Sequence, residues 1–275
     1  ILKEAIIREL NIEKDEIEEE KFPKIAILGK PNAGKSSLIN KLAGKERAIV
    51  SKIPGTTRDP VEVLVKYYGK KYIFIDTAGE KREAKIKGEQ EFLSVIKGRK
   101  ALKEADIALF LLDASAPITN QDREIGFEIE KSYKGFIFLG NKVDLISQEE
   151  REVFKENLYS AFPYFDYVPV LFISALKGYN LQKIWKYIKE IQESLNYRIP
   201  TGVLNRTFRE FIKNYPQRDR KFYFITQAEV NPPTFVLVGN KLDKPKESFL
   251  RFLQTKIRDI YPFKGVPIRI LLKKR

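Results

Sequence analysis

The sequence predicts an α/β fold, a mixed and mostly parallel six-stranded sheet with helices on both faces, followed by a small α+β domain. Three observations carry this. From Phe22 onward, short apolar runs alternate with stretches of helical periodicity, the order of parallel strands joined by crossover helices. The run IALFLLD at 107–113 is apolar without alternation, as in a strand covered on both faces. After Asn196 the order becomes helix, strand, strand, helix, strand, which is too short and differently ordered to extend the first sheet.

Taken in order, Leu2, Ile6, Ile7 and Leu10 share one face of a short helix, and the acidic stretch Asn11–Glu20 follows. Residues 1–21 therefore read as the tail of a preceding domain and a solvated linker. Strands are predicted at Lys24–Leu28, Val61–Tyr68, Lys71–Ile75, Ile107–Leu112, Gly135–Leu139 and Val168–Phe172. Helices are predicted near 35–42, 90–104, 120–132, 148–160 and 180–195. Gly69-Lys70 reads as a tight hairpin turn, which makes one edge strand antiparallel. The domain boundary falls near 197, giving units at 22–197 and 198–275. The second unit reads as helix 201–214, strand 221–230, a turn at Asn231-Pro232-Pro233, strand 234–239, helix 245–260 and strand 266–272.

Composition removes several chemistries. The 275 residues contain no His, Cys or Met, so triads, imidazole bases, thiol nucleophiles and thiolate metal sites are excluded. The chain opens on Ile1, which reads as a fragment of a longer protein. Lys plus Arg number 51 against 37 Asp plus Glu, a formal charge of +14. Residues 1–20 hold eight acidic and three basic residues, whereas 198–275 hold eighteen basic and six acidic, a net of +12. Such a basic terminal segment points to an anionic partner, nucleic acid ahead of membrane. With no apolar run of membrane-spanning length and no signal-peptide pattern, a soluble, cytoplasmic protein is expected.

Gly29-Lys30-Pro31-Asn32-Ala33-Gly34-Lys35-Ser36 fulfils G-x-x-x-x-G-K-[ST] between a predicted strand and a predicted helix. Backbone N–H groups and a helix N-terminus there converge on phosphate. Gly29, Asn32, Ala33, Gly34, Lys35, Ser36 and Ser37 are the candidate phosphate residues. Lys35 is expected to neutralise the β- and γ-phosphates, and the Ser36 hydroxyl to ligate Mg²⁺. Asn141-Lys142-Val143-Asp144 ends a predicted buried strand as NKxD. A carboxylate at Asp144 accepting two N–H bonds selects guanine, with Asn141 at the other edge of the base and the Lys142 stem over its plane. Ser174-Ala175-Leu176 is expected to support the base through a backbone amide.

Asp76-Thr77-Ala78-Gly79 fits DxxG, with Asp76 reaching Mg²⁺ through water and the Gly79 amide meeting the γ-phosphate. Pro54-Gly55-Thr56-Thr57-Arg58-Asp59 lies in the loop after the first helix, where one of Thr56 and Thr57 closes over Mg²⁺ and the γ-phosphate; Thr57 is taken as the metal ligand. A second NKxD string at Asn240–Asp243 follows the Ser-Ala-Leu motif and lies in the second unit, where it reads as a polar turn before Pro245.

In this order, GKPNAGKS, PGTTRD, DTAG, NKVD and SAL make residues 22–197 resemble a P-loop GTPase domain of the Era and Der type. RIPTGVLN at 198–205, VNPPTF at 230–235 and FKGVPIR at 263–269 resemble the C-terminal KH-like domain of the Der (EngA) family. The resemblance implies the second of two consecutive GTPase domains plus the KH-like domain, the first GTPase domain being a partner absent from this chain. It also implies a monomer that hydrolyses GTP to GDP and phosphate and acts in assembly of the large ribosomal subunit, with its rRNA as partner. Lys35, Thr56, Thr57 and Gly79 become the catalytic candidates through their motifs, and Asn32 joins them because relatives bearing Asn at this position use K⁺ to assist hydrolysis.

Two features depart from the family. Glu80 follows DTAG where relatives usually carry an apolar residue, and a carboxylate near the γ-phosphate repels it. The second unit also lacks the G-x-x-G loop by which KH modules clamp a nucleic-acid backbone. Two alternatives stand beside this reading. The tRNA-modification GTPases share PGTTRD and DTAG but embed the domain in a long helical one; a non-hydrolysing GTP-dependent binding module is kept in play by Glu80.

Overall fold

The computed structural model describes residues 22–45, 61–76, 98–213, 215, 221–240 and 247–274. At the centre of the first unit lies β1 (Lys24–Leu28), apolar on both faces: Ile25 and Ile27 face one layer, Ala26 and Leu28 the other. Around it assemble β2 (Val61–Tyr67), β3 (Lys70–Asp76), β4 (Ile107–Asp113), β5 (Gly135–Asn141) and β6 (Val170–Phe172), in the order β2-β3-β1-β4-β5-β6. Every neighbouring pair is parallel except β2–β3. One face packs on α1 (Lys35–Lys45) and α4 (Leu181–Leu195), through Leu38, Leu42, Ile184 and Ile188. The other packs on helical residues 98–104, α2 (Asn120–Lys131) and α3 (Gln148–Ala161). The unbroken apolar character of β4 follows from this double cover.

The hairpin turn is Tyr68-Gly69, one residue earlier than the sequence reading placed it. Both residues take positive φ, 44° and 80°, as a two-residue turn matched to strand twist requires. Local signals start the helices: Thr119 with Asp122, and Ser147 with Glu150, form reciprocal capping boxes at α2 and α3.

The second unit comprises α5 (Thr201–Lys213), β7 (Phe222–Glu229), β8 (Thr234–Gly239), α6 (Glu247–Ile260) and β9 (Arg269–Lys274). Its sheet runs β7-β8-β9, antiparallel then parallel. Leu204, Phe208, Phe249 and Leu253 cover one face of it, over Ile225, Phe235 and Leu237. Buried Gln227 fixes the entry to this unit, donating to Tyr197 O (2.9 Å) and accepting from Ile199 N (2.8 Å). Among the described residues no helix is long and apolar enough to cross a membrane.

The last strand starts at Arg269 rather than at Val266. Lys264 and Gly265 form a turn, with Gly265 at a φ of 71°, and the segment through Val266 seats the second unit on the first, while Phe263 and Ile268 stay in the second unit's own core. Gly265 O accepts from Phe136 N, and Gly265 N donates to Tyr167 O, each at 2.8 Å. Val266 is buried in the first unit's core, and Arg251, Arg258 and Arg269 lie over the rings of Tyr164, Tyr167 and Tyr133 at 3.2, 3.8 and 4.6 Å. Each cation of this seam comes from the second unit and each ring from the first.

Candidate functional site

Parallel strands deliver their C-terminal ends to one edge of the sheet, the place where open α/β folds bind ligands. There the loop from Gly29 to Gly34 joins β1 to α1, and Lys35 is the first residue of that helix. Lys35 Nζ donates to Gly29 O (2.6 Å) and Lys30 O (2.9 Å), so its ammonium lies across the concave side of the loop. Two glycines are demanded by close approach: a Cβ on Gly29 would stand 2.3 Å from Leu111 O, and one on Gly34 would stand 2.3 Å from Asn141 Nδ2. Asn32 takes a left-handed φ of 63°, which Asn tolerates better than most side chains, and is exposed at the rim. Ala33 is fully buried beneath it, whereas Ser36 and Ser37 are exposed in the first turn of α1.

Asn141, the last residue of β5, is 3% exposed, and both ends of its amide are engaged within the protein. Nδ2 donates to Ala33 O of the phosphate loop (2.7 Å), and Oδ1 accepts from Ala175 N of the Ser-Ala-Leu turn (2.9 Å). One side chain thus joins the three motifs. Lys142 follows with a left-handed φ of 67°, and its Nζ pairs with Asp113 at 2.5 Å. Asp113 also accepts from the Ser115 amide (3.0 Å) and hydroxyl (2.7 Å). Burial pushes the Asp113 carboxyl up, but the bonds from Lys142 and Ser115 outweigh it and hold the group below the usual carboxylate range.

Asp144 is exposed within the short 3₁₀ turn Val143–Leu145, which is anchored by buried Val143 and its amide bond to Ile173 O (3.3 Å). Ser174 is buried, and its hydroxyl accepts from Lys177 N (3.0 Å), closing a turn that leaves Leu176 68% exposed. On the other side, β3 ends at Asp76 in register with Ile27 of β1, so its backbone reaches the same edge of the sheet. Thr56, Thr57, Gly79 and Glu80 lie outside the described residues. In the second unit, Asn240 closes the β7–β8 pair by accepting from Lys221 N and donating to Lys221 O; the rest of that NKxD string lies outside the described residues.

Three residues to which the motifs assign no role belong to this edge: Asp113, Lys30 and Asp122. Asp113 lies in register with Asn141 across β4 and β5. Asp122 pairs with Lys30 of the phosphate loop at 3.2 Å. The capping pattern Thr119-x-x-Asp122 is visible in the sequence, although its reach to the loop is not.

Residues 24–142 match the family described as 50S ribosome-binding GTPase, and residues 198–273 match the KH-domain-like C-terminal domain of EngA bacterial GTPase enzymes. The GTPase Der of Lachnospira eligens is 40% identical over 268 residues, covering 95% of this chain and 61% of that protein. The GTPase Der of Thermodesulfovibrio yellowstonii is 40% identical over 273 residues, covering 94% and 61%. The chain therefore spans about three-fifths of the length of these relatives. Elongation factor SelB of Methanococcus maripaludis, solved with the GTP analogue GppNHp, shares the fold alone: TM-score 0.50, 18% identity, 66% of this chain and 35% of that one. Matches to both of its units, and 40% identity along nearly all its length, make this chain a member of the Der (EngA) family of GTPases.

Proposed function

We propose that residues 22–197 bind GTP with Mg²⁺ and hydrolyse it, and that residues 198–275 meet rRNA during assembly of the large ribosomal subunit. The observation that supports this best is the Asn141 tie, which brings the phosphate loop and the two base-reading motifs to one edge of the sheet. In this reading the Lys35 ammonium takes up phosphate charge and the backbone amides at the start of α1 complete the cradle. Asp144, exposed on its anchored turn, accepts the guanine N–H pair; Lys142, held by Asp113, lays its stem along the base.

The donor set suits Mg²⁺, since Ser36 offers an exposed hydroxyl and β3 ends in the carboxylate residue Asp76, both hard oxygen types. When bound, the ion offsets charge on the phosphates. Thr56 or Thr57 and Gly79 keep the γ-phosphate roles their motifs assign, and Asn32 keeps its role toward K⁺. Catalysis then rests on positioning and electrostatics. Single-turnover hydrolysis with GTP and Mg²⁺ tests the reading, and phosphate release faster in K⁺ than in Na⁺ at equal ionic strength is expected. No release in either salt would leave a non-hydrolysing binding module. For rRNA, the expected result is an affinity falling steeply with salt, as phosphate contacts by the +12 segment dictate; a flat dependence removes that partner.

A further inference from the structure

One phosphate-loop residue has no part in the scheme above. Lys30 turns its side chain to α2, where Nζ donates to Asp122 Oδ2 at 3.2 Å across 92 positions of sequence. Asp122 is 1% exposed. The same Oδ2 accepts from the Thr119 amide (2.9 Å) and hydroxyl (2.7 Å), and Oδ1 has no hydrogen-bond partner among the described residues. A carboxylate buried this deeply depends on a cation nearby, and the loop supplies it.

The backbone of Lys30 is held from its other side as well. Its carbonyl accepts from Lys35 Nζ (2.9 Å) and from Ala33 N (3.3 Å). Lys30 therefore stands between the ammonium that faces the phosphates and a post on α2. The post is firm: Ile125, Gly126 and Ile129 of α2 are buried, and Phe162 packs where a Gly126 Cβ would go. Just past the helix, Tyr133 lies under Arg269 of the second unit.

We infer that Lys30 and Asp122 form a positioning pair for nucleotide binding, which sets the Lys30 carbonyl and through it the seat of Lys35. The inference rests on the nucleotide site proposed above. Neither residue touches the nucleotide; both act through the loop. Coupling of this kind spans roughly a threefold to hundredfold range in an equilibrium constant.

The test uses the full chain with Lys30→Met, Lys30→Arg, Asp122→Asn and the Met/Asn double variant, titrated with GDP and followed by nucleotide-free melting. Asp122→Asn keeps an acceptor for the Thr119 amide, so the cap survives. Expected are GDP affinities weakened about tenfold in both single breaks, restoration toward wild type in Lys30→Arg, and no further loss in the double variant. Unchanged affinity in Lys30→Met and Asp122→Asn, with or without a lower melting temperature, would overturn the pair as a positioning device. So would losses that simply add, or an Arg variant as weak as the Met one. A wild-type chain that binds no GDP overturns the nucleotide site itself, and is distinguished by the first titration.

Discussion

Replacing Asn141 by Ala removes two hydrogen bonds at once, and the structure sets the size of the effect. Ala33 O and Ala175 N lose partners held at 2.7 and 2.9 Å, in residues that are 0% and 1% exposed. A buried polar group left unpaired costs about 1–3 kcal/mol, so the pair costs roughly 2–6 kcal/mol. In a domain of this size that is a fall of roughly 5–20 °C in melting temperature. Asn141→Asp sharpens the test, because it has the same shape. One oxygen still accepts from Ala175 N, while the other faces Ala33 O and repels it. Nucleotide-free melting together with GDP titration reads both effects. The Ala variant should melt well below wild type, and the Asp variant should lose GDP affinity even where its melting is partly preserved. Two variants within about 1 kcal/mol of wild type, with GDP binding intact, would refute the tie between the motifs.

Lys35→Ala should weaken GTP binding at least about a hundredfold, since charge-assisted bonds contribute about 1.5–3 kcal/mol each; titration with GTP checks it. Gly34→Ala should be as damaging, because its Cβ would stand 2.3 Å from Asn141 Nδ2 at a φ of 104°; it should release the Asn141 tie and lower both melting temperature and affinity. Asp113 has a depressed carboxyl, so its contribution is present above the unfolded carboxylate value of about 4 and is lost as pH falls through its lower folded value. Asp113→Asn should therefore be destabilised at neutral pH and converge on wild type in strong acid, as acid titration of stability will show. Arg258→Ala removes the stack on Tyr167 at 3.8 Å and a bond to Val266 O at 3.3 Å, and should cost about 1–3 kcal/mol in urea unfolding.

The phosphate loop was legible because its demands are local: glycines where backbone and amide pass closely, a lysine at the helix start, a buried strand before them. The double cover of the large sheet was legible in the unalternating run of β4 for the same reason. What escaped the sequence is tertiary. Val266 looks like a strand residue, since nothing local separates an apolar residue paired in a sheet from one pressed into a neighbouring unit. The hairpin turn was misplaced by one residue because Tyr68, a poor candidate for positive φ, takes the position. Asp113 and Asp122 are ordinary carboxylates in the sequence. Only the register of β4 against β5, and the fold of α2 beside the loop, give them Lys142 and Lys30 as partners.

In the proposed function this edge of the sheet reads guanine through Asp144. Xanthine replaces the 2-amino group of guanine by a carbonyl, so a carboxylate suits guanine and a carboxamide, one acceptor and one donor, suits xanthine. The direct measurement is titration of the chain and of its Asp144→Asn variant with GDP, XDP and ADP. Wild type is expected to bind GDP far more tightly than ADP or XDP, and the variant to exchange GDP for XDP with ADP still rejected. Equal binding of ADP and GDP by the wild type, or a variant whose preference is unmoved, would contradict that role for Asp144.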